Sequence, residues 1–201
     1  MKGLGKKQKE ILIGLILGDG FLQTTGKNNA RLRLEHSAKQ KSYIEWKYEV
    51  LKNFMQAPPK YLKRHNPVWQ RTYFYYRCQT HATPYLGKLR RSFYDGNRKR
   101  VPLNIGSLLK SPQSLAVWYM DDGSYYHRDK MAEIYLSCYS IEEVQRLAGV
   151  LEANFGLKPK IKIKKKKYTV FSFDVLQTKR LIEIVKPHII PSLEYKIFSA
   201  P

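Results

Sequence analysis

Two apolar, helix-length segments of this chain each end in an acidic residue followed by glycine. They are Leu12-Ile13-Gly14-Leu15-Ile16-Leu17-Gly18-Asp19-Gly20 and Leu115-Ala116-Val117-Trp118-Tyr119-Met120-Asp121-Asp122-Gly123. A segment that is apolar on every side is stable only as a buried helix. Gly14 and Gly18, four residues apart, line one helix face and leave it open to close approach by another helix. If the two segments are partners, their C-terminal ends emerge side by side and bring Asp19 together with Asp122. Like charges at helix C-termini repel each other and the helix dipole alike, so such an arrangement calls for divalent cations. A lone Asp-Gly is a common turn signal. Two of them, each closing an apolar helix, point to a two-fold site instead.

Charge narrows the partner. The chain carries 37 Lys+Arg against 16 Asp+Glu, a net charge of +21, well above the magnitude of about 2–8 that keeps a small domain soluble. An excess this large opposes compaction and points to a polyanion, nucleic acid ahead of an acidic membrane surface. No apolar run reaches the ~20 residues of a membrane span. The N-terminus has no signal-peptide core, so the expected location is the cytoplasm or an organellar matrix. Cys78 and Cys138 lack metal-ligand spacing and are expected to be buried free thiols. The five histidines are scattered, which gives a histidine-centred nuclease little support.

Both halves read as the same series of elements. An apolar helix over residues 7–19 leads into short strands. In the second of these, Arg31-Leu32-Arg33-Leu34-Glu35-His36, Leu32 and Leu34 face inward while Arg31, Arg33 and Glu35 face outward. An amphipathic helix over residues 40–54 stops at Pro58-Pro59. Strands over residues 61–64 and 71–79 and a helix over 83–93 complete the half. In the second half a motif helix begins near Ser111-Pro112. Residues 133–138 alternate, with Ile134 and Leu136 inward and Glu133, Tyr135 and Ser137 outward. A helix over residues 141–155 ends at Gly156, residues 160–164 and 168–174 form a hairpin, and a helix over 178–185 stops before Pro187. The join, residues 95–110, is too apolar at Val101, Leu103, Ile105 and Leu108 for a floppy tether. The divergent repeat implies a pseudo-dimer in one chain, divided into residues 1–104 and 105–201.

The paired segments resemble the motif of the LAGLIDADG homing endonucleases, in the single-chain form with two motifs, and the resemblance covers nearly the whole chain. It implies an α+β fold of two αββαββα halves around a central helix pair, with antiparallel sheets forming a saddle over DNA. It implies a monomeric endonuclease that recognises a long, nearly asymmetric duplex site and cuts both strands across the minor groove, leaving short 3′ overhangs. Asp19 and Asp122 would coordinate Mg²⁺, with Gly18 and Asp121 beside them. Mn²⁺ would substitute, and Ca²⁺ would support binding with little cleavage. Asp121 departs from the pattern by adding a carboxylate before the motif position. Val117-Trp118-Tyr119 replaces the glycine-bearing centre.

The same resemblance points to Lys99 and Lys196, each just after the last helix of its half, as basic residues near the scissile phosphate. The alternative to that reading is a surface lysine in a lysine-rich chain. Ser37 and Ser137, on outward strand parity, match polar positions that hold water around the metals. Strand parity assigns the DNA-facing surface to Arg31, Arg33, Lys60, Arg71, Tyr73, Tyr75, Arg77, Lys160, Lys162, Lys164 and Tyr168, where basic and tyrosine side chains suit phosphates and base edges. The run Lys164, Lys165, Lys166, Lys167 sits at a hairpin turn as a phosphate clamp or a solvated tip. Two rival functions remain. An intron maturase would keep the fold and bind intron RNA. A transcription regulator would usually carry an added helix-turn-helix segment, for which the chain has no length. The sequence opens at Met1 without the length of a splicing domain, so an intact intein is not expected.

Overall fold

The computed structural model of the protein describes residues 4–136, 138–165 and 167–197. Their contacts form two compact units: α1 (Lys6–Leu17) groups with residues from 92 onward, and residues 19–91 form the other.

In the 19–91 unit, β1 (Phe21–Thr24), β2 (Ala30–Ser37), β3 (Lys60–Asn66) and β4 (Arg71–Gln79) make an antiparallel sheet in the order β1-β2-β4-β3. Between β2 and β3 runs α2 (Lys41–Leu51), which packs on β2 and β4. The expected alternation of β2 is present: Leu32 and Leu34 are buried, while Arg31, Arg33 and Glu35 are half-exposed. His36, however, occupies an inward position and is buried. Helix α3 (Pro84–Phe93) leads out of this unit.

In the other unit, β5 (Tyr94–Asp95) and β6 (Arg98–Lys99) form a small hairpin, followed by the single turn α4 (Ile105–Leu108). The join therefore has structure of its own. Val101 and Ile105 are buried as their apolarity requires, but Leu103 is 85% exposed. Then come α5 (Pro112–Asp122), β7 (Gly123–Tyr126), β8 (Met131–Tyr135), α6 (Ile141–Phe155), β9 (Lys160–Lys164), β10 (Tyr168–Phe173) and α7 (Val175–Val185). Their sheet has the order β7-β8-β10-β9, the same as the first. The αββαββα series thus occurs twice.

Local chemistry sets the boundaries. Ser111 accepts from the Gln113 amide at 3.2 Å, and Pro112 opens α5. Ser140 and Glu143 form a capping box on α6, and Gly156 closes it at φ 66°, a backbone conformation that suits glycine. Helix α7 starts three residues earlier than its apolar spacing predicts, because Asp174 caps it by accepting from the Gln177 amide at 2.9 Å. Both cysteines are free thiols. Cys78 is buried in β4, but Cys138 is exposed past the end of β8, where the strand has already turned.

Candidate active site and nucleic-acid interface

The two motif helices pack together, and the glycines explain how closely. A Cβ at Gly14 would collide with the Ser114 carbonyl oxygen and stand 2.7 Å from Val117 Cβ, while one at Gly18 would stand 2.5 Å from Asp121 Cβ. Hydrogen bonds tie the helices at their other ends: Ser114 Oγ donates to the Glu10 carbonyl at 2.7 Å and Ser111 Oγ to the Glu10 carboxylate at 3.0 Å. Residues 11–17 of α1 and 113–120 of α5 are buried.

At the C-terminal ends the carbonyls have no helical partner. Each end is met by the lysine of its own half. Lys99 Nζ donates to the Gly18 carbonyl. The buried Lys196 donates to the carbonyls of Met120 at 2.6 Å and Asp121 at 3.3 Å. Two tyrosines complete the arrangement. Tyr139 donates to the Leu17 carbonyl at 2.9 Å, and Tyr119 donates to the Lys196 carbonyl at 2.7 Å. A cation at a helix C-terminus is favoured by the dipole, so these ammonium groups offset the negative field that the motif carboxylates would otherwise face.

The carboxylates are placed differently. Asp122 is the last residue of α5, and Asp121 lies against Gly18. Cys138 and Tyr139 are close to Asp122. Partial shielding from water raises the Cys138 thiol pKa, Lys99 opposes the rise and Asp122 adds to it. Burial pushes the Tyr139 hydroxyl well above its usual value, helped by Cys138 and Asp122. Gly18, Asp121, Asp122, Lys99 and Lys196 thus belong to one unit. Asp19 opens the other, where its Oδ2 lies 3.9 Å from His36 Nδ1. Ser37 is exposed and accepts from the Lys39 amide at 3.4 Å; Ser137 lies outside the described residues. Carboxylates together with backbone carbonyls at helix ends are a hard-oxygen donor set of the kind Mg²⁺ and Ca²⁺ take. Those carbonyls already draw in ammonium groups. The residues fit a divalent cation.

On the sheet of the 19–91 unit, the strand-parity assignment agrees with the pairing register. Arg77 lies opposite both Glu35 and Lys60, Tyr75 opposite Ser37, and Asn66 opposite Arg71. One carboxylate organises this face. Glu35 is held by Arg77 at 2.9 Å, Arg33 at 3.1 Å and Arg64 at 3.3 Å. Arg64 and Arg77 also donate to the Tyr75 hydroxyl at 3.4 and 3.2 Å. Arg31 is tied to Gln23 at 3.0 Å, while Lys60, Arg71 and Tyr73 are exposed.

On the second sheet Lys164 donates to Glu133 at 2.6 Å and to Tyr126 at 3.0 Å. Glu133 raises the Lys164 pKa, and Lys164 belongs to the sheet face rather than to the tip. Lys160 and Lys162 on the same strand are exposed and Tyr168 is half-exposed. Lys165 and Lys167 are exposed at the turn; Lys166 lies outside the described residues. Sequence reasoning passed over Arg64, Glu133 and the buried His36 and Lys47. Parity along β3 would have found Arg64. A polar residue at a core position of a strand or helix marks His36 and Lys47, whereas Glu133, expected on the outward face of its strand, is buried where it accepts from Lys164.

A chain built of two αββαββα repeats, with glycine-packed helices that end in carboxylates and basic sheet faces, has the make-up of a two-motif DNA endonuclease. The comparisons agree: the LAGLIDADG DNA endonuclease family matches residues 9–181, and the chain belongs to that family. The solved structure of the homing endonuclease I-WcaI bound to its DNA recognition sequence is similar at 28% identity and a TM-score of 0.90, over 100% of this chain and 90% of that one. A probable intron-encoded endonuclease 1 of Wickerhamomyces canadensis is 29% identical over 96% of this chain and 85% of its own length. Protein RecA of Mycolicibacterium fallax is also 29% identical over 96% of this chain. There the chain spans 47%, about half, of its relative's length.

Proposed function

We propose that this chain is a site-specific DNA endonuclease that cuts both strands of a long, nearly asymmetric duplex site. The observation that carries the reading is the pair of motif helices, packed through Gly14 and Gly18, with a lysine of the matching half on the terminal carbonyls of each. A mere architectural remnant would have no need of two carboxylates and two ammonium groups at buried helix ends. The repeats, residues 1–104 and 105–201, each supply one aspartate and one lysine.

In this reading Asp19 and Asp122 hold divalent cations, with the Gly18 carbonyl and Asp121 beside them. Bound there, Mg²⁺ supplies activation of water and stabilisation of the leaving 3′ oxygen. Lys99 and Lys196 place positive charge where the phosphorane develops. The Glu35 and Glu133 clusters hold arginines and lysine in fixed orientation for base edges and phosphates. The protein acts as a monomer on double-stranded DNA, Mn²⁺ substitutes for Mg²⁺, and Ca²⁺ supports binding with little cleavage. Among the described residues no helix is long and apolar enough to cross a membrane.

The test is cleavage of a randomised duplex library with Mg²⁺, followed by sequencing of the new ends. A shared site, cut on both strands with short 3′ overhangs, is the expected result. Tight binding of structured RNA without divalent-dependent DNA cleavage would favour the maturase reading instead.

A further inference from the structure

The two repeats differ at a buried pair of positions. In the first sheet Phe21, two residues after Asp19, pairs with Arg33; in the second, Ser124, two residues after Asp122, pairs with Glu133. This register matches His36, three residues past Arg33, with Leu136, three past Glu133. Eleven residues further on it matches Lys47 of α2 with Leu147 of α6. The two helices bury the same pattern of positions over residues 41–50 and 141–150. All four residues are buried, and Lys47, Leu136 and Leu147 are fully so. The fold therefore accepts a leucine pair at these places. The first half has a histidine and a lysine there, which lose hydration when buried.

These polar side chains lead to one place. Lys47 Nζ lies 2.7 Å from His36 Nε2 and 4.1 Å from the Tyr43 ring centroid. With Lys47 Nζ as the donor in this contact, His36 Nε2 accepts. The neutral ring then carries its proton on Nδ1. That N–H lies within hydrogen-bond reach of the Gln40 side-chain oxygen at 3.3 Å, and Asp19 Oδ2 stands farther off at 3.9 Å, an electrostatic contact. A ring nitrogen that carries a proton attracts a nearby carboxylate and cannot itself ligate a metal. The second repeat, with Leu136 and Leu147, has no counterpart of this contact.

We infer that His36, with its tautomer fixed by the buried Lys47, is a positioning residue for Asp19 alone, so that the two cleavage centres of the protein are unequal. The inference deepens the endonuclease reading and rests on it for the role of Asp19. Outer-shell partners of metal ligands typically change metal affinity or activity about 10–100-fold when mutated.

Two measurements test it. With ¹⁵N-labelled histidine, the His36 ring is expected to show the Nδ1–H tautomer, which Lys47→Leu should release; an Nε2–H ring in the wild type overturns the inference whether or not the protein cuts DNA. The second uses His36→Leu/Lys47→Leu, which copies the leucines of the other repeat. This variant should retain its helix content and DNA binding. The strand that Asp19→Asn leaves uncut should be cut about tenfold more slowly at limiting Mg²⁺, with nicked duplex accumulating, while the strand governed by Asp122 keeps its rate. Equal slowing of both strands, or of neither, refutes the inference. A wild type that cuts neither strand refutes the endonuclease reading, and the ring tautomer still decides the role of Lys47. Should the double variant fail to fold, His36→Asn, which retains a donor, must preserve the rate on both strands better than His36→Leu does, or the inference fails.

Discussion

Asp19 and Asp122 occupy the same motif position, and neighbouring Asp121 is distinguished from Asp122 by packing as well as by register. Its side chain lies against Gly18, and its carbonyl accepts from Lys196. Asp19→Asn and Asp122→Asn should each lower double-strand cleavage by several orders of magnitude while leaving the fold intact. Asp121→Asn should cost less than either. Single-turnover cleavage of an end-labelled duplex measures all three, and a larger loss at Asp121 than at Asp122 would overturn the assignment of the second motif. At this scale the acids were legible from the motif. The histidine and lysine behind Asp19 were not, because a strand or helix pattern read as apolar does not announce one polar pair in its core.

Among the elements, the α1–α5 contact is limited by sterics and the β9–β10 turn by charge. Gly14→Ala would push a methyl group into the backbone of α5. Overpacking of this kind costs about 1–3 kcal/mol, measured as a shift in the urea midpoint. Gly149 in α6 is the control: a Cβ there meets nothing within 4 Å, so Gly149→Ala should stabilise by about 0.5–1 kcal/mol through helix propensity. Equal effects at the two glycines would remove the packing argument. At the turn, Lys165 and Lys167 are exposed, unlike Lys164, which Glu133 holds. If the turn clamps phosphates, Lys165→Ala/Lys167→Ala should weaken cognate and random duplex by similar factors. It should also flatten log K against log salt by up to roughly 2 units, near 0.9 per lost contact. An unchanged slope would mean that the tip is only solvated.

For the whole molecule, the proposed function assigns binding to the net charge of +21 and cleavage to the cation, so the two should separate. In excess chelator the protein should bind its duplex and leave it intact. Added Mg²⁺ should restore cutting, and Ca²⁺ should restore little of it because its looser coordination positions water poorly. Gel-shift and cleavage assays on one substrate check this, and strong cleavage in chelator would exclude the carboxylate–metal mechanism. The same separation predicts that salt weakens binding to all duplexes, through counterion release.

The sequence by itself determined the repeat, the motif helices, the alternating strands and the excess of charge, because periodicity and composition are local properties. Residues 141–155 and Gly156 could be read as a helix and its C-terminal glycine without any knowledge of their neighbours. The tertiary structure alone decided which groups meet. Glu35 gathers Arg33, Arg64 and Arg77 across three strands, and Lys196 crosses 76 residues of chain to reach the end of α5. Lys47 is buried beside His36, although its residue type favours the surface. Such pairings depend on strand order and helix docking. Many distant contacts set these together, and no window of sequence contains them.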